Sequence, residues 1–163
     1  MITIIVRGMP APQGSKRFVG VRGGRGVLVE SSKGVRPWRQ DVVAAAVEAK
    51  NGAAPLDGPL RVRMVFTLPK PKSAPKTRRT YPDRRPDLDK LCRAVLDSLV
   101  QSGIIEDDAR VIRLELLKVF PREHPEALDI PGVVIQVECI DAGTQEGYGR
   151  TAPCGLQGAP QCP

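Results

Sequence analysis

A chain of 163 residues, 41% of them hydrophobic, is long enough for one domain with a real core and too short for two comfortable ones. No apolar run comes near the roughly 18 residues that would span a membrane, and no charged leader precedes the short apolar stretch at residues 2–6, so the expectation is a cytoplasmic protein without a membrane partner. The net charge of +7 fits plain solubility and equally fits a polyanion such as nucleic acid, whose counterions Lys and Arg displace.

In chain order, residues 2–6 form a first strand, broken by Pro10-Ala11-Pro12-Gln13-Gly14-Ser15-Lys16-Arg17. Two β-prone runs, 18–21 and 27–30, flank Arg22-Gly23-Gly24-Arg25-Gly26 and predict a hairpin with a basic tip. Ser31 or Ser32 can cap a helix in which Trp38, Val42, Ala45, Ala46 and Ala49 share a face, and Asn51-Gly52 ends it. Leu60, Val62, Met64, Phe66 and Leu68 then alternate with Arg61, Arg63, Val65 and Thr67, the pattern of a half-buried strand.

Residues 69–85 carry Lys70, Lys72, Lys76, Arg78, Arg79, Arg84 and Arg85 against the single acid Asp83, so a mobile, strongly positive loop is expected. It runs into Pro86-Asp87-Leu88-Asp89-Lys90, which opens a helix. Leu88, Leu91, Cys92, Val95 and Leu99 make its apolar stripe, while Asp89, Arg93 and Asp97 stand one turn apart on another. Gly103 ends this helix, Glu106-Asp107-Asp108 follows, and strands are expected over 111–120 and 132–140. The domain therefore spans 1–140. Residues 141–163, rich in Gly, Pro, Gln and Thr, read as a disordered tail. The fold class is α+β, a mixed sheet covered by two main helices.

Cysteine chemistry is not indicated. Cys92, Cys139, Cys154 and Cys162 make no Cys-x-x-Cys pair and have only His124 to help them, which argues against structural zinc. Cys92 and Cys139 fall on apolar faces and read as small core residues; Cys154 and Cys162 read as free thiols in the tail. Trp38 reads as a core anchor, His124 as a surface loop residue, and Tyr81 as the aromatic with the better claim to touch a base.

Metal-assisted phosphodiester hydrolysis needs oxygen ligands for a hard cation, an activated water and a cation against the developing charge. Asp87 and Asp89 offer two carboxylates, Asp107 or Asp108 a third, and Arg93 the cation. The plain alternative is that acids in a first helical turn cap free N–H groups and complement the helix dipole. Reach is tight. From Asp89 to Ser102 an ideal helix advances roughly 20 Å, and residues 103–108 return at most about 17–20 Å when extended. Either the chain folds straight back along the helix, or a second subunit supplies Asp108.

The run Arg85-Pro86-Asp87-Leu88-Asp89-Lys90-Leu91, followed by Ala94-Val95-Leu96-Asp97-Ser98-Leu99 and Gly103-Ile104-Ile105-Glu106-Asp107-Asp108-Ala109-Arg110-Val111, closely resembles the signature of RusA-type Holliday-junction resolvases, found largely in phages and prophages. The Gly14–Arg17 loop and the strand order are also similar, so the resemblance extends to about Ile140. It implies a homodimer that binds Mg²⁺, with Mn²⁺ substituting, and cuts two strands of a four-way junction symmetrically in recombination or repair. It assigns metal binding and catalysis to Asp87, Asp89 and Asp108. The family's usual lysine four positions after the second aspartate is Arg93 here, and its common asparagine is Lys90. Arginine keeps the charge but gives up no proton, so Arg93 suits a phosphate clamp rather than a general acid. Candidate DNA contacts are Lys16, Arg17, Lys70, Lys72, Lys76, Arg78, Arg79, Arg84, Arg85 and Lys90. Two other readings use the same basic surface: a branched-DNA-binding protein that does not cut, and a nuclease of broader branched-DNA taste. Intact acids at 87, 89 and 108 favour catalysis.

Overall fold

In a computed structural model, residues 1–14, 17–29, 34–75 and 77–140 are described. The elements among them are β1 (Ile2–Arg7), β2 (Arg17–Arg22), β3 (Arg25–Val29), α1 (Val35–Lys50), β4 (Leu60–Thr67), α2 (Leu88–Ser102), a 3-10 turn (Asp108–Arg110), β5 (Val111–Val119) and β6 (Gly132–Cys139). The expected elements are all present. β1, β6, β4 and β5 lie in that order in one mixed sheet, in which β6 runs antiparallel to both neighbours and β4 pairs parallel with β5. β2 and β3 form a separate hairpin turning at Gly23-Gly24, both at positive φ.

Alternation decides which face is covered. Leu60, Val62, Met64 and Phe66 of β4 meet Val133, Ile135 and Val137 of β6 and Ile4 and Val6 of β1 in one buried cluster. Both helices cover that face: α1 through Val35, Trp38, Val42 and Ala46, and α2 through Leu91, Cys92, Ala94, Val95 and Leu99. Trp38 is 2% exposed, as an anchor should be. Burial pushes the Cys92 thiol up to about 11, so it stays neutral.

Three expectations are corrected by the fold. β4, expected to be half-buried with a partly basic second face, is covered on that face too at Val65 and Thr67. Residues between β5 and β6 close over them: the Leu128 N–H donates to Thr67 Oγ1 (2.9 Å), and Glu126 pairs with Arg63. Cys139 is exposed rather than part of the core, because it ends β6 where the chain leaves the sheet. Gly34 occupies the cap position of α1, while Ser31, Ser32 and the 141–163 tail lie outside the described residues.

Candidate active site

The unit β4–α2–β5 positions every candidate acid. Parallel neighbours need a crossover, so the helix between them runs opposite to both strands. The N-terminus of α2 therefore sits at the exit of β4 and β5, and its C-terminus at their entrance. Asp87 is the extended residue just before α2 (φ −71°, ψ 138°), yet its carboxylate makes no capping hydrogen bond. It accepts instead from Lys90 Nζ at 2.5 Å. Lys90 holds the Asp87 carboxyl below the usual carboxylate range, helped by Arg85 and Lys118, so Asp87 is ionised at neutral pH. Asp89 and Arg93 follow on the exposed stripe one turn apart, and no described residue hydrogen-bonds or ion-pairs with either side chain.

Three residues that sequence reasoning left out hold α2: Lys118 at its N-terminal approach, Gln13 along its first half and Arg39 farther toward its C-terminus. Lys118, near the exit of β5, donates at 3.0 Å to the carbonyl oxygens of both Arg84 and Pro86. Arg84 and Pro86, on the approach to Asp87, are thereby tied to the sheet. The available signal was a lone lysine inside the apolar run Leu116-Leu117-Lys118-Val119-Phe120. Gln13 lies across the first turns of α2: its N–H donates to the Lys90 carbonyl (3.0 Å) and its Nε2 to Asp97 Oδ2 (2.7 Å). Arg39 of α1 approaches the same Asp97 oxygen at 3.6 Å. Gly14 follows directly in the chain; Ser15 and Lys16 lie outside the described residues.

Asp108 is at the other end. Past Gly103, whose φ of 70° closes α2, the Leu56 N–H donates to the Ile104 carbonyl (2.8 Å) and Leu56 bridges Ile105. Asp107 caps the 3-10 turn by accepting from the Ala109 N–H (2.7 Å), and Asp108 is exposed beside it with no partner among the described residues. The chain returns toward Asp87 only afterwards, along β5. Seven strand steps from Val111 to Lys118 span roughly 23 Å, matching the roughly 20 Å rise of α2. Among the described residues of one chain, no three His, Cys, Asp or Glu side chains converge as a metal site.

The basic loop has fixed points that its composition did not suggest. Glu123 pairs with Lys70 and accepts from the Thr80 N–H (3.0 Å), and Lys70 also donates to the Pro75 carbonyl (2.5 Å). Lys70 and Lys90 thus each have an internal partner, Glu123 and Asp87. Lys72, Arg78, Arg84 and Arg85 are exposed and their side chains make no hydrogen bond or ion pair among the described residues, and Arg79 stacks over the Tyr81 ring at 5.0 Å. Lys76 lies outside the described residues, and Arg17 opens β2. Across the described residues, no helix is long and apolar enough to cross a membrane.

Set beside known proteins, residues 8–138 match the sequence model of the endodeoxyribonuclease RusA family. The match takes in both helices, the basic loop and all three aspartates. A search of curated proteins gave no match.

Proposed function

The chain belongs to the endodeoxyribonuclease RusA family, and from that premise we propose that it is a homodimeric, Mg²⁺-dependent enzyme that resolves Holliday junctions by paired cuts. The observation that carries the reading is the pair Asp87 and Asp89 at one end of α2, not used for capping, beside a fixed basic loop.

The donor set fits a hard cation. Asp87 is an ionised carboxylate in extended backbone, Asp89 is an exposed carboxylate with no described partner, and oxygen ligands are what Mg²⁺ takes. Asp87, Asp89 and Asp108 would hold it, with Mn²⁺ as a substitute; when bound, the cation supplies Lewis acidity and a more acidic water. Arg93 offers a permanent charge one turn after Asp89 and clamps phosphate there. Lys118 and Lys90 keep Asp87 oriented.

The roughly 20 Å between Asp87 and Asp108 supports a composite site, in which each half-site takes Asp108 from the other subunit. Among the described residues β5 has no strand on its outer side, and Ile112 and Leu114 on it are 67% and 43% exposed. A two-fold axis near the middle of β5 reverses the strand, bringing each Asp108 end to the partner's Asp87 end and making two sites. A two-fold protein then matches the two strands cut in one junction.

Cleavage of a labelled four-way junction tests this. The wild type should make paired symmetrical nicks that require Mg²⁺ or Mn²⁺. Asp87→Asn and Asp108→Asn homodimers should bind without cutting. Co-expressed together, the two variants should recover single nicks, because the mixed dimer keeps one intact site. Binding without cutting by the wild type would turn the reading to a non-catalytic junction binder. No recovery in the mixed dimer would place the three acids in one subunit.

A further inference from the structure

One cavity lies outside the carboxylate site. It measures about 660 Å³ and is enclosed by the basic loop between β4 and α2. Its lining includes Leu68 and Phe120, both buried, and the exposed Tyr81. Arg78, Arg79, Arg84 and Arg85 also line it, against Asp83 as the one carboxylate. Pro86, the residue before Asp87, belongs to the same wall.

Size, charge and shape suit one class of ligand. A volume of several hundred cubic ångströms with a mixed apolar and polar lining takes a small organic group rather than a bare ion. Four guanidinium groups against one carboxylate select an anion. Tyr81 is 65% exposed with Arg79 over its ring, a flat surface on which a base can stack. A nucleotide combines these features. The cavity is preformed, because Glu123 holds Lys70 and Thr80, and Lys118 holds Arg84 and Pro86. Arg85 and Pro86 of its wall directly precede Asp87, which sets the cavity next to the carboxylates.

We propose that the cavity receives an unstacked nucleotide of the DNA, its base on Tyr81 and its phosphate against the arginines. The inference rests on the reading of branched DNA as the substrate: bases at a crossover are the least costly to extrude. The cavity is then a specificity element, favouring cuts where a base can leave the stack.

The test is equilibrium binding of the full chain, without divalent cation, to four-way junctions in which one abasic residue is stepped through every crossover nucleotide. Tyr81→Ala and Tyr81→Phe are run beside the wild type. At one position base removal should weaken wild-type binding roughly 5- to 150-fold, the range for loss of one base–aromatic stack. Tyr81→Ala should weaken binding to the intact junction comparably and make base removal at that position harmless. Tyr81→Phe keeps the ring and should behave as the wild type. Independent, multiplying losses at every position would overturn the proposal, as would an intact-junction affinity indifferent to Tyr81→Ala. A protein that cuts junctions yet shows no coupling loses the cavity and keeps the nuclease reading. One that shows coupling but never cuts loses the nuclease reading and keeps the cavity. Failure to bind junctions at all removes both.

Discussion

Lys118 acts on Asp87 through backbone. Two carbonyl oxygens on either side of the Arg85–Pro86 peptide share its ammonium group, so the approach to Asp87 is set from the sheet. Replacing such outer residues typically costs 10–100-fold in metal affinity or activity. Lys118→Met should weaken Mn²⁺ binding, followed by titration of the protein alone, by roughly 10- to 100-fold, while junction affinity stays unchanged. Glu123 has the matching role in the loop. Lys70 first, and then the Thr80 N–H, hold its carboxyl below the usual glutamate range. A lowered carboxyl contributes stability above its unfolded pKa, about 4.3, and loses it as pH falls through the lower folded value. Hydrogen exchange at the Thr80 amide should therefore show constant protection from pH 8 to 5 and loss only on further acidification. In Glu123→Ala the protection should be absent throughout.

At the scale of elements, α2 exposes Asp89 and Arg93 on one stripe and buries the core residues on another. Leu99 is fully buried on the apolar stripe, and Leu99→Ala should destabilise the fold by about 2–5 kcal/mol in denaturant titration. Gln13 joins the N-terminal segment to the opposite stripe, its Nε2 on the Asp97 carboxylate at 2.7 Å. A hydrogen bond to a charged group is worth about 1.5–3 kcal/mol, so Gln13→Leu should lower stability by that order. Sheet register has its own demand at Gly132, where a Cβ would overlap the Val6 carbonyl oxygen. Gly132→Ala should push β1 and β6 apart and lower the melting temperature.

For the whole molecule, the separation of acids and the unpaired edge of β5 make association a condition of activity in the proposed reading. Leu114→Asp places a charge on that edge and should yield a monomer by sedimentation that no longer cuts junctions, while its circular dichroism remains native. The exposed arginines of the loop carry positive charge on its surface. Neutralising Arg78 and Arg79 together should weaken junction binding and lower the salt-dependence slope by about 2, roughly one for each phosphate left without its cation.

Periodicity and turn chemistry are local, and they were enough for the elements. The alternation in β4, the stripe of α2, and the stops at Asn51-Gly52 and Gly103 all follow from neighbours within a few residues. The acidic motif with its basic approach was also legible, and with it the family. Contacts between distant segments were not. Nothing near Lys118 or Glu123 in sequence says that they clamp the Pro86 approach and the basic loop, and composition alone made that loop mobile. Cys139 has an apolar neighbourhood in sequence but an exposed place at the strand end. The separation of Asp108 from Asp87 was decided by the parallel pairing of β4 with β5. That pairing forces α2 to run antiparallel to β5 and sets the acids at its two ends, a consequence of strand direction that no residue spacing encodes.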